Sequence, residues 1–352
     1  MILLAWTDVR WMKRLSAPIR VLVTGSRGKS SVVRLLTSAL ASFGLDARGR
    51  ITGVLPRELR PGGPGSRLEE VLLLRSGQAS VADMNWWLSS LHTSVDAVVM
   101  ENSAIAPELQ HLASRWLRPV CSVLVNVRPD HEESWGRGEE RAARALCLGL
   151  RSDCGEHPVI LPRHVAEKPF VERLLREGGC LPVPCEGGAD FRDEHLSIVE
   201  SVCDLLGLDG KAGRRAASLL PPDLADFALH GEGEGILASA FSANDPESAE
   251  SLFLSTGWSR RDTVVLFNSR SDRPGRLGAF SSWLSSHQWR RVCVCGGSPL
   301  VLPRRTERLR IPDGVALTNF VRREGLVFGC GNVAGAPLDY LESVRGRGGG
   351  SR

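Results

Sequence analysis

One run constrains this chain more than any other. Residues 19–25, IRVLVTG, form a β-rich apolar stretch that ends in glycine, and SRGKSS follows at once. Then Val32, Val33, Leu35, Leu36, Ala39 and Leu40 recur at helical spacing. Strand, tight turn and helix open an α/β unit. The turn is Thr24-Gly25-Ser26-Arg27-Gly28-Lys29-Ser30-Ser31. Small residues let backbone N–H groups converge on phosphate oxygens, and the helix behind them turns its positive end to the same point. Gly25, Ser26, Arg27, Gly28, Lys29, Ser30 and Ser31 are therefore the expected nucleotide-binding residues. Lys29 reaches the β- and γ-phosphates, and the Ser30 hydroxyl is placed for Mg²⁺. The pattern GxxxxGK[ST] would need glycine where Val23 stands, so the standard spacing fails. A strand–helix turn that merely contains GKS is the bland alternative. The loop alone names no reaction.

VDAVVMEN (95–102) and CSVLVNV (121–127) read as further buried strands, with PELQHLASRW as a helix between them. The alternation predicts a parallel sheet with right-handed crossovers. Residues 54–68, rich in Pro, Gly and Arg, read as a loop, and 191–209 as an amphipathic helix. A looser Pro- and Gly-containing stretch then places a domain boundary near 232. Beyond it GILASAF, TVVLFNS, RRVCVCGG and GLVFGCGN are strands, with ESAESLFLS and RLGAFSSWLSS as helices. The expected domains are 1–231, 232–344 and a disordered tail at 345–352, RGRGGGSR.

A length of 352 residues suits two domains. A net charge of +4 gives no basic field of the size a general nucleic-acid binder needs. The nine cysteines form no CxxC pair, so a zinc site is not expected, and a reducing compartment fits. No apolar run reaches membrane-spanning length. The opening MILLAWTDVRWMKRL reads as an ordinary packed helix, with Trp6, Arg10, Trp11, Lys13 and Arg14 giving a weak interfacial alternative.

TGxxGK[ST] directly after a strand resembles the loop of the Mur ligase superfamily. VVMENSAIAPELQ (98–110), VLVNVRPDHEE (123–133), SANDPES (242–248), NSRSDRP (268–274) and GCGNVAG (329–335) resemble the PgsB/CapB family of poly-γ-glutamate synthases. ITG (51–53) and SGQAS (76–80) match more weakly. The resemblance implies a P-loop central domain followed by a smaller Rossmann-like α/β domain. It implies an ATP-dependent amide ligase in which ATP phosphorylates a γ-glutamyl carboxylate and the amine of glutamate attacks the acyl phosphate.

What the resemblance carries over falls on particular residues. Glu101, at the end of AVVME, would hold Mg²⁺ at the carboxyl edge of the sheet. His131 would help bind a second Mg²⁺, although a lone histidine is more often structural. Asp130 would orient it, or only cap the next turn. Asn126 is a weaker nucleotide or metal candidate. In the second domain Asn244 and Asp272 are expected to meet ATP, and Arg273 to stabilise charge on the γ-phosphate. Arg270 and Arg276 are candidates for substrate carboxylates or for plain solvated surface. The catalytic set is thus Lys29, Glu101, His131 and Arg273, and the metal set Ser30, Glu101 and His131.

Two departures stand out. Phe241 occupies a position where many relatives have aspartate. The segment after His131 lacks the carbamylated lysine of many Mur ligases, and Lys168 lies too far along the chain. Glu132 or Glu133 would substitute, or the site would use fewer ligands. The implied partners are glutamate, the poly-γ-glutamate chain and membrane subunits of a synthase, with no nucleic acid, and a homo-oligomer is compatible. The expected location is cytoplasmic, peripheral at the inner face of the plasma membrane. The competing readings are a folylpolyglutamate synthase-like ligase, a regulatory ATPase or GTPase (weakened by the missing NKxD), and a scaffold subunit that binds ATP without turnover.

Overall fold

The computed structural model describes residues 16–53, 55–62, 68–73, 80–151, 155–243, 245–271, 274–297 except 287, and 299 and 301–349. The chain divides into two units, Met1–Pro221 and Pro222–Arg352.

The first unit runs β1 (Ile19–Thr24), α1 (Lys29–Ser42), β2 (Ala47–Ile51), β3 (Arg57–Arg60), β4 (Glu69–Leu72), α2 (Ala82–Ser90) and β5 (Ala97–Glu101). It continues α3 (Gln110–Leu117), β6 (Cys121–Leu124), α4 (Glu132–Trp135), α5 (Glu139–Cys147), β7 (His157–Pro162), α6 (Arg163–Ala166), α7 (Pro169–Glu177), β8 (Cys180–Cys185), α8 (Phe191–Leu205) and α9 (Gly210–Ser218). The strands form one sheet in the order β4-β3-β2-β5-β1-β6-β7-β8. Strand β1 pairs in parallel with both β5 and β6, which puts the ends of three strands side by side. Successive β1 residues face opposite layers, as a two-residue period demands. Val21 and Val23 pack with α1 and α8, while Leu22 packs with Trp87 and Met100 on the other face.

The parallel expectation holds for the centre of this sheet but not its margin. The stretch 54–68, read as loop, contains β3, which pairs antiparallel with β2 and with β4. RELR shows no apolar alternation because Arg57 and Glu58, two of its three buried residues, are charged. Arg57 and Arg34, each 4% exposed, share the carboxylate of Glu70, with Arg34 Nη2 at 2.8 Å. Removing Glu70 would break both of these buried ion pairs, at a cost of about 3–5 kcal/mol.

The second unit runs β9 (Ala228–Glu232), β10 (Gly235–Ser239), α10 (Pro246–Ser255), β11 (Val264–Ser269), α11 (Pro274–Ser286), β12 (Arg291–Gly296), β13 (Glu307–Arg308), α12 (Gly314–Glu324), β14 (Leu326–Cys330) and α13 (Ala336–Gly349). Its sheet order is β13-β12-β11-β14-β10-β9, parallel except for the β9–β10 hairpin. Phe253, Phe267, Phe280, Trp283 and Phe328 form the core on one face.

Two expectations are corrected here. The units part at Pro221/Pro222 rather than at 231/232, because the glycine-containing stretch is a hairpin turn and not a linker. Gly233, with φ 63°, makes that turn. At the far end, α13 continues to Gly349 instead of stopping before 345. Buried Ala336, Tyr340 and Leu341 anchor its start, and each further residue adds a backbone hydrogen bond at little cost.

Candidate active site

The loop leaves β1 at Thr24 and is pressed against β6. Gly25 has φ 139°, and a Cβ there would lie 3.1 Å from the Asn126 nitrogen, so only glycine fits. Asn126 then binds the loop like a short extra strand. Its carbonyl accepts from Ser26 N (3.2 Å), its Oδ1 accepts from Arg27 N (3.0 Å), and its Nδ2 donates to Arg27 O (3.2 Å). The Ser26 hydroxyl donates to Arg128 O at 2.6 Å. The Ser26 and Arg27 amides are thereby committed to Asn126, which leaves the helix start as the part of the loop open to an anion.

Gly28 caps α1 with φ 74° and no side-chain cap bond, and no acidic residue occupies the first turn. A helix start of this kind keeps its positive end open to an anion. Lys29 folds back over the loop and donates to Gly25 O at 2.7 Å. Desolvation lowers its pKa, Glu101 and Asp130 pull it up again, and Arg27 adds to the lowering. The ammonium therefore sits in the field of both carboxylates.

Glu101, 4% exposed, ends β5 beside Val23. Its Oε2 accepts from the Ser30 hydroxyl (2.8 Å) and from Thr52 N (2.9 Å), and its Oε1 from the Thr52 hydroxyl (2.9 Å). Gly53 comes so near that a Cβ would lie 3.0 Å from Ser30 Oγ. The next residue, Asn102, donates to Gln110 Oε1 at 3.0 Å and accepts from Ala104 N at 3.1 Å, which fixes the chain after Glu101. Thr52 was not singled out by the sequence. Its only signal was the weak ITG match.

His131 sits with φ 47°, the left-handed region, at the start of α4. Its backbone N–H donates to Asp130 Oδ1 at 3.0 Å, and its Nε2 lies 3.7 Å from Asp130 Oδ2. Asp130 thus both caps the turn and neighbours the imidazole. Burial raises the Asp130 pKa, but Arg27, His131 and Lys29 outweigh it and hold the carboxyl below its ordinary range. Arg27 Nη1 lies 3.5 Å from Asp130. Trp135 stands edge-on to His131 at 5.2 Å and donates to Ile105 O at 2.6 Å. That one indole tethers the His131 turn to the chain beyond Glu101.

No cluster of three His, Cys, Asp or Glu side chains among the described residues forms a metal cage. Mg²⁺ needs none, because it keeps several waters and takes one or two protein oxygens plus phosphate. The Ser30 hydroxyl and the Glu101 carboxylate, 2.8 Å apart, supply such a pair. Glu133 Oε1 lies 3.5 Å from His131 Nδ1, whereas Lys168 is held by Glu139 at 2.6 Å.

In the second unit, Asn244, Asp272 and Arg273 lie outside the described residues, as do residues 1–15 and 76–79. Asp245 caps α10 through Ser248 N at 2.8 Å. Phe241 is buried, and a Cβ at Gly329 would meet its ring at 2.3 Å, so it serves as core. Arg276 donates to Gly331 O at 2.9 Å. It shares one cleft with Asn268, Ser269, Arg270 and Asn332 at the strand ends.

Residues 225–347 match the family model of the poly-gamma-glutamate synthase CapB C-terminal domain. The chain is 23% identical over 372 residues to PGA synthase CapB of Bacillus subtilis (strain 168), covering 95% of this chain and 92% of that protein. E. coli FolC in complex with ADP superposes with a TM-score of 0.65 at 16% identity, over 95% of this chain and 91% of that one. A bifunctional folylpolyglutamate synthase/dihydrofolate synthase with Mn, AMPPNP and L-glutamate bound gives 0.64 at 14% identity, over 94% and 90%. Residues 225–347 are thus similar to a CapB C-terminal domain, and the chain shares the α/β fold of E. coli FolC.

Proposed function

We propose that this chain is an ATP- and Mg²⁺-dependent ligase that joins glutamate to a γ-glutamyl chain. The observation that carries the reading is the Ser30–Glu101 contact at an uncapped helix start. The CapB relative and the AMPPNP-, Mn- and glutamate-bound neighbour support it.

In this reading the triphosphate lies on the helix start at Gly28 to Ser31, with Lys29 moving from the loop carbonyls to its β,γ-oxygens. Ser30 and Glu101 hold the metal, and Thr52 orients the carboxylate. Mg²⁺, when bound, neutralises charge on the transferring phosphoryl group. His131, set by Asp130 and Trp135, faces the γ-phosphate and the substrate carboxylate. A substrate carboxylate oxygen bonds to the γ-phosphorus as the bond to the β-bridging oxygen breaks, releasing ADP. The amine of glutamate then attacks the acyl carbon, phosphate leaves, and the amine loses a proton to give the amide. Positioning and charge do the work, so no protein nucleophile is required.

No helix among the described residues is long and apolar enough to cross a membrane. We place the enzyme at the cytoplasmic face, where ATP and glutamate are available, with membrane subunits as partners. The buried free thiols, Cys121 to Cys330, are compatible with that compartment. The resemblance to FolC keeps a folate-polyglutamating ligase as the second reading.

The test is ADP release from purified protein and Mg-ATP, with glutamate, with glutamate plus γ-glutamyl oligomer, and with a folate acceptor. Release that requires glutamate and the oligomer is expected. Equal release without glutamate indicates a bare ATPase, no release a scaffold, and folate-dependent release the second reading.

A further inference from the structure

The outer margin of the second unit carries an arginine strip that the ligase site does not use. VLPRRTERLRI, residues 301–311, holds Arg304, Arg305, Arg308 and Arg310 against one acid, Glu307. Its middle is β13, the last strand of the sheet. All four arginines are exposed.

Among the described residues, little neutralises this charge. Glu307 is committed to Arg291, at 2.6 Å from Nη2 and 3.0 Å from Nε. Arg308 donates to Pro299 O. Arg304, Arg305 and Arg310 make no side-chain hydrogen bond or ion pair with any described residue. Clustered like charges repel one another, a cost that an anionic ligand would remove.

The backbone, by contrast, is held. Thr306 Oγ1 donates to Pro303 O (2.7 Å) and Leu309 N to Val294 O (2.9 Å). Leu302 packs on the core and Ile311 is buried. Arg305 adopts φ 60°, a left-handed conformation that strains a non-glycine residue. A solvated turn would be cheaper with glycine or asparagine. Strain kept at a charged, exposed turn points to a binding role.

We infer that the strip Arg304–Arg310 is a docking surface for a polycarboxylate chain, the γ-glutamyl polymer itself. The identity of the polyacid rests on the ligase reading above. Guanidinium groups pair with carboxylates through two parallel hydrogen bonds, and their number matters more than their exact register on a flexible polyanion. A nucleic acid is disfavoured, because the chain as a whole carries only +4 and the strip has no aromatic residue for base stacking. Holding the polymer here would keep its end near the enzyme between additions.

The test is fluorescence anisotropy of labelled poly-γ-glutamate with the full chain, without ATP. R304Q/R305Q/R310Q should bind about tenfold more weakly, the sum expected from three exposed ion pairs, with a shallower salt dependence. Its ADP release with a short γ-glutamyl acceptor should be unchanged. Arg305→Gly should weaken binding while raising Tm, which separates docking from folding. Wild-type binding by the triple variant would overturn the inference. So would tighter arginine-dependent binding of single-stranded DNA or of phosphatidylglycerol vesicles. Arginine-dependent polymer binding by a chain without glutamate-dependent ADP release would sink the ligase reading and leave the strip standing.

Discussion

The Ser30 hydroxyl donates to Oε2 of Glu101 at 2.8 Å, so the first turn of α1 and the last residue of β5 meet at one oxygen. Everything else in the site is arranged around that meeting. Thr52 fixes the carboxylate from β2's end, and Asn126 fixes the loop from β6's end.

Glu101→Gln tests the carboxylate. The amide keeps the shape but removes the charge and turns an –NH₂ group toward donors. Mg²⁺ affinity in the presence of nucleotide should fall about ten- to hundredfold, with turnover falling in parallel. A metal titration that matches the wild type would remove Glu101 from the site.

Asn126→Ala removes both bonds to the Arg27 backbone, each worth about 1 kcal/mol. Calorimetry should show nucleotide affinity reduced about tenfold or more, because the loop is no longer preorganised. An unchanged Kd would mean that the loop holds its shape without Asn126.

The contrast between Glu101 and Asn126 shows what the sequence reveals. The loop and Glu101 were legible because strand, turn and helix are contiguous and a strand-end acid needs only the strand to place it. The strand–helix alternation gave both sheets in outline. Asn126 was legible only as a weaker nucleotide or metal candidate and Thr52 not at all, because both act through strand neighbours far away in sequence and no local pattern announces such a pairing. Strands β3 and β4 were hidden because Arg57 and Glu70 are buried as a charge network, which hydropathy reads as surface. The β9–β10 hairpin was taken for a linker because its glycines mark turns and linkers alike.

Gly28→Ala should destabilise the fold by about 2 kcal/mol. The left-handed backbone contributes about 1–2 kcal/mol of that, and a Cβ would also lie 2.4 Å from Nε2 of His195. Adding His195→Ala should recover only the steric part, a coupling that a denaturation double-mutant cycle measures. Strict additivity would contradict the contact.

The partly buried His195 imidazole is pushed down to about 4, first by burial and then by Arg192, with Asp190 opposing. The unfolded chain titrates near 6.5, so between about 6.5 and 4 it alone binds that proton. Stability is full above that window and falls as pH drops through it, by up to about 1.4 kcal/mol per pH unit. His195→Asn should flatten this slope relative to wild type in denaturant melts across the window. Parallel curves would show that His195 titrates normally.

In the proposed function the triphosphate and its metal sit at the junction of α1 and β5. A crystal structure with AMPPNP and Mn²⁺ tests it directly. The β,γ-phosphates are expected on the amides of Gly28 to Ser31, with the ion bound by Ser30 Oγ and a Glu101 oxygen. Nucleotide bound elsewhere, or an ion touching neither side chain, would contradict it.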